Sequence, residues 1–252
     1  MVKGIKEKEL KKKKKITIVD VLVILLVIAL LATAGYLLYK EFFPNNVPVL
    51  KMQVQTSDGI DWDKLRAINP DTVGWLKIDG TSVDTPVVQT SDNSRYLNES
   101  FDGGTDQRGT PFLDKDYVWS PRSRNSVVYG HSIFNVGGHI HVMFDDLHNY
   151  VEDSTFYAGH SIIEYDRPAE LGGNGKWQIV AVFRVEADVD YRRPDFTSEA
   201  EFMAYYQNLI AKSEVNTGQT VSPGDEMLTL STCTEEGIFA DGRLAVIAKR
   251  IS

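Results

Sequence analysis

The chain has 252 residues, of which 42% are apolar, 25% charged and 10% aromatic, which excludes collagen-like, low-complexity and wholly disordered polymers. A formal net charge of −8, from 27 basic and 35 acidic residues, argues against a nucleic-acid binder. The charge is uneven: residues 1–44 hold nine Lys/Arg and four acids, a balance of +5, so residues 45–252 hold 18 and 31, a balance of −13.

Residues 1–15 form a basic tail with Lys11 to Lys15 in a row. An apolar run follows over 16–39, and its centre, Val21 to Leu38, is eighteen residues without a charge. At 1.5 Å per residue a run of about 20 crosses a bilayer core, so a single transmembrane helix is expected. Lysines crowd the N-terminal side and only Lys40 follows, which predicts a cytoplasmic tail and an extracellular body. Ala32, Thr33 and Ala34 would suit a cleavage site, but the apolar run exceeds a secretory core, which favours an uncleaved anchor. Residues 40–56, with Pro44, Asn45, Asn46 and Pro48, read as a stalk, leaving 57–252 as one folded domain.

In that domain a short helix is predicted from Asp61 to Ile68, stopped by Pro70. Strands are predicted over Val73–Ile78, Val83–Val88, Ser126–Tyr129, Ser161–Asp166, Lys176–Val185, Met227–Ser231 and Arg243–Ile251. In the fifth, Trp177, Ile179, Ala181, Phe183 and Val185 alternate with Gln178, Val180, Val182 and Arg184, the pattern of a central strand. Ser198-x-x-Glu201 is a capping box, and Phe202, Tyr205, Tyr206, Leu209 and Ile210 continue it as a helix to about Ser213. The class is mainly β, a sandwich or barrel.

Cys233 is the only cysteine, so no intrachain disulfide is possible. It is either a small buried hydrophobe or a nucleophile whose thiolate attacks acyl carbons. It comes just at the end of the strand-like run MLTLS, and Arg243 opens RLAVIAKRI. Antiparallel pairing of the two runs would bring Arg243 close to Cys233, where a guanidinium can lower a thiol pKa and bind an oxyanion. His131 stands likewise just past a strand, SVVYG. His139, His141, His148 and His160 lie in loop-like or helix-like sequence, and no HExxH frame joins them to Asp145 and Asp146 as zinc ligands. No serine elbow, Walker loop or dinucleotide fingerprint is present, so neither a metal nor a cofactor is expected.

These residues resemble the sortase family: TLSTC at 229–233, Asp241-Gly242-Arg243, and Tyr129-Gly130-His131 upstream. Class B is indicated by NPDTVGWLKIDGTSVDTPVVQ at 69–89, Tyr96-Leu97-Asn98, Phe112-Leu113-Asp114, Met143-Phe144, Asp146-Leu147 and Tyr150. The resemblance implies a closed barrel of about eight strands with an N-terminal helix and an extra helix between late strands. It implies His131, Cys233 and Arg243 as the catalytic set, with Asn93, Leu97, Tyr191, Ser231 and Thr232 along the peptide groove. The implied reaction cleaves an Asn-Pro-x-Thr-like sorting signal after Thr through a Cys thioester and passes the acyl group to an amine. The partners would be surface proteins bearing that signal and a peptidoglycan-precursor or pilin amine, at a Gram-positive-type cell surface. The segment Ser132 to His141 is longer than the family's usual connection. A Cys/His hydrolase and a noncatalytic anchored surface protein are the competing readings.

Overall fold

The computed structural model describes residues 18–42, 47–57, 59–135, 138–139, 142–234 and 241–252. The chain divides into two compact units, Met1–Pro44 and Asn45–Ser252. In the first, α1 runs over Ile18–Phe42. The expected basic tail, 1–15, lies outside the described residues. Among the described residues no helix is long and apolar enough to cross a membrane.

The second unit begins earlier than the sequence suggests. Within the expected stalk of 40–56, residues 47–54 are folded onto the domain: α2 (Val47–Val54) buries Val54 and packs Leu50 against the cluster that holds Leu65, Trp75 and Phe112. Lys51 of α2 also pairs with Asp84. The short helix α3 (Trp62–Ile68) lies where predicted, and its first residue in that prediction, Asp61, is the cap, with Oδ1 accepting from the Lys64 N–H at 3.1 Å.

Eight strands then close a barrel: β1 (Thr72–Lys77), β2 (Asp84–Val88), β3 (Phe112–Leu113), β4 (Asn125–Tyr129), β5 (Ile162–Asp166), β6 (Lys176–Glu186), β7 (Met227–Cys233) and β8 (Gly242–Arg250). The order around it is β6-β8-β7-β4-β3-β2-β1-β5. β4 and β7 run parallel while β7 and β8 are antiparallel. The interior is filled by Leu76, Val87, Val128, Trp177, Leu228, Leu230, Leu244 and Val246, all buried. On the outer face of β6 and β8, Phe183, Ala245 and Ile247 pack under α4 (Glu199–Ala211) through Phe202, Tyr206 and Leu209.

β6 departs from simple alternation. Its register against β8 shifts between Ile179 and Ala181, leaving Val180 as an extra residue. Trp177, Ile179 and Val182 therefore join the interior, while Ala181, Phe183 and Val185 join the outer cluster. Both faces of β6 are covered, as a central strand requires.

Candidate active site

Strand direction gathers the three chemistry-bearing residues. β4 and β7 run the same way with Tyr129 opposite Ser231, so the chain leaves β4 as Gly130-His131 beside the end of β7. β8 enters at that same end, and Cys233 is the register partner of Arg243. Alternation then sets the face. Leu230 and Leu244 lie inside the barrel, while Met227 and Ala245 pack outside it. Cys233 and Arg243 have the parity of the outer set. The cover over that face stops at Ser231, whose Oγ lies 2.9 Å from the Tyr191 Oη, and Cys233, two residues further, is exposed.

There the surface opens as a cleft of about 230 Å³. His131, Cys233, Arg243, Asn93, Leu97, Ser231 and Thr232 all line it, as do Tyr129 and Arg192. Tyr191, expected in the groove, is instead fully buried and does not line it. Its phenol is committed to Ser231, so it supports the wall from behind.

Several lining side chains are held by named partners. Asn93 accepts from the Lys115 N–H at 2.8 Å and donates to Asp114 Oδ2 at 3.1 Å. The same carboxylate oxygen accepts from Tyr129 Oη at 2.6 Å. Burial, followed by that bond to an anion, pushes the Tyr129 phenol far above its ordinary pKa, so it stays a donor. His131 Nε2 lies 2.9 Å from the Leu97 carbonyl oxygen, a contact that ties the histidine to the Leu97 wall. The Phe144 N–H donates to the His131 carbonyl at 3.0 Å. His148, one of the four histidines that the sequence leaves outside the catalytic set, is buried with Nε2 3.1 Å from the Cys233 carbonyl oxygen, fixing the backbone that carries the thiol.

Arg243 is half-buried. Its burial disfavours the charge, but the hydrogen bond to Asp241 and the nearby Cys233 sulfur outweigh it, so the guanidinium is held above its ordinary pKa. It also donates to the Gly242 carbonyl at 2.9 Å. A permanent cation in register with an exposed thiol can accept the charge that builds on an attacked carbonyl oxygen. Arg192 was not foreseen, because nothing in YRRP marks which of two adjacent arginines faces a cleft. The turn residues Glu235, Glu236 and Gly237 lie outside the described residues, as does part of Ser132 to His141. Within that segment Phe134–Asn135 pairs with Gly138–His139 as a small hairpin.

No family model matches the chain. Among curated relatives it is 32% identical over 190 residues to sortase B of Staphylococcus aureus, covering 75% of this chain and 74% of that protein. It is 29% identical over 188 residues to sortase B of Listeria monocytogenes, covering 75% and 73%. Among solved structures, a Staphylococcus aureus sortase B-substrate complex has a TM-score of 0.68 at 30% identity, covering 85% of this chain and 93% of that one. Clostridium perfringens sortase B has a TM-score of 0.65 at 28% identity, covering 76% and 100%. Barrel and relatives together define a sortase, a cysteine transpeptidase. Within that class the chain belongs to the sortase B family.

Proposed function

We propose that this sortase cleaves an Asn-Pro-x-Thr-like signal at the C-terminal end of surface proteins and joins the threonine acyl group to a peptidoglycan cross-bridge amine. The observation that carries this reading is the register pairing of Cys233 with Arg243 in a cleft that His131 also lines. The Cys233 thiolate attacks the threonine carbonyl carbon and Arg243 binds the oxyanion. The C–N bond breaks as His131 gives its proton to the leaving amine, and a thioester remains. An incoming amine then attacks the thioester, loses its proton to His131, and expels the thiolate. The bond energy passes to the new amide, and the thiolate and protonated His131 are regenerated.

The proposal includes a single-pass anchor with the body outside the cell. Its support is that α1 exposes apolar side chains along its length, Leu22, Ile24, Leu26, Ile28 and Leu31 among them. The apolar sequence continues from Ile16 to Leu38, and the lysine cluster lies on its N-terminal side. A tethered enzyme meets membrane-held substrate and lipid-linked acceptor on one surface, which raises their effective concentration.

The test uses full-length protein in detergent with signal peptides and a choice of cross-bridge-like amines or a pilin-like lysine peptide. Mass spectrometry should find a thioester on Cys233 and amide products with the cross-bridge amine, and neither in Cys233→Ala. A thioester surviving in Cys233→Ala would refute the assignment. Hydrolysis alone, unaffected by added amine, would make the enzyme a hydrolase, and preference for the lysine peptide would make it a pilin polymerase.

A further inference from the structure

Arg192 is the one arginine among the described residues with no carboxylate within 4.0 Å. Arg66, Arg95, Arg108, Arg122 and Arg124 each have such a partner. So do Arg167, Arg184, Arg193, Arg243 and Arg250. In a chain with 35 acids against 27 bases, a guanidinium left without an anion stands out, and this one lines the cleft with Cys233 and Arg243.

The residue is also held in place. It lies in the connection from β6 to α4, where Tyr191 on one side is buried against Ser231. On the other, Arg193 pairs with Asp190 and Glu201, and its N–H donates to Tyr205 Oη at 3.2 Å. The Pro194 carbonyl accepts from the Arg124 and Asn125 N–H groups at 3.0 Å each. Arg192 itself lies over the Tyr191 ring, 5.1 Å from its centroid, and spends one donor, Nη2, on the Ala187 carbonyl at 2.7 Å. Four N–H donors of a planar fork remain for a ligand, and little ordering is left to be done on binding.

We propose that Arg192 is a specificity-determining residue that binds a carboxylate carried by one of the two reactants: an acidic side chain of the sorting signal or a free carboxylate on the acceptor amine. A guanidinium fork matches a carboxylate bidentately, and the neutral peptide groups of a signal would leave its charge unmatched. The inference rests on the signal-transfer reading above and adds to it a preference for charge.

The experiment pairs signal peptides that carry Asp or Asn beside the scissile threonine or at the variable position. It also pairs acceptor amines that differ only in a free or amidated carboxylate. Full-length protein should favour the acid by about tenfold to a hundredfold in kcat/KM in one of the two series. The ratio should fall to near one in Arg192→Gln, be partly kept in Arg192→Lys and be inverted in Arg192→Glu. A preference in the peptide series assigns the carboxylate to the signal, and one in the amine series assigns it to the acceptor. Ratios near one in both series, or a ratio unchanged in Arg192→Gln, overturn the inference. Binding of the same pairs to Cys233→Ala protein reports the ratio without turnover, so absence of a thioester would sink the transfer reading while the Arg192 ratio is still decided by itself.

Discussion

At the scale of single residues, Gly130 shows how the core reaches the chemistry. A Cβ at this position would lie 2.7 Å from Phe144 Cδ2 and 2.8 Å from its Cγ, and Phe144 is fully buried in the barrel interior. The ring can lie against the chain between Tyr129 and His131 only because no side chain intervenes. Gly130→Ala must displace either a packed aromatic ring or the His131 backbone that bonds to Phe144. Overpacking of this kind costs about 1–3 kcal/mol, and thermal unfolding should show that loss together with a fall in thioester formation; full activity with unchanged stability would contradict the account. Sequence made the thiol, the arginine and the histidine legible because each sits at a strand end, where order along the chain becomes order in space. Burial of Tyr191 and the missing partner of Arg192 were not legible, since both depend on which loop residues meet after folding.

At the scale of elements, periodicity located seven of the barrel's strands and both predicted helices of the domain. β3 escaped because two residues, Phe112 and Leu113, carry no period. The bulge in β6 escaped because every residue from Ile179 to Phe183 is apolar, so the pattern reads equally well in either register. α2 hid behind Pro48, which a first helical turn tolerates. The capping box at α4 is half as drawn: Ser198 Oγ accepts from the Glu201 N–H at 3.2 Å, but the Glu201 carboxylate bonds Thr197, one residue earlier than the motif predicts. What holds α4 down is its buried face, and Phe202 is central to it, stacked with Arg124 at 3.7 Å and set edge-on to Phe196. Phe202→Ala should destabilise the domain by about 3–5 kcal/mol, read as a lower midpoint in urea. A shift no larger than that of an exposed α4 substitution such as Gln207→Ala would show that the helix is not cemented by this face.

At the scale of the whole molecule, the domain couples a large set of buried phenols to a strongly negative body. Burial raises the pKa of Tyr96 to about 12. It pushes the buried Tyr150, Tyr165 and Tyr206 higher still. An unfolded chain releases these protons near pH 10, whereas the folded chain keeps them, so above that pH the unfolded state binds fewer protons and stability falls as pH rises. The −13 balance of residues 45–252 acts in the same direction, because lysines discharge over the same range and self-repulsion grows. On the acid side, local hydrogen bonds hold Asp61, Asp92 and Asp153 below the ordinary carboxylate range, and these three secure turns and caps. Stability measured by urea unfolding should therefore hold level through neutrality and drop from about pH 10 upward, with tyrosinate absorbance from this buried set rising together with unfolding. If that absorbance instead rose well before the fold was lost, the phenols would be reachable by solvent in the native state, and the barrel could not be packed as described.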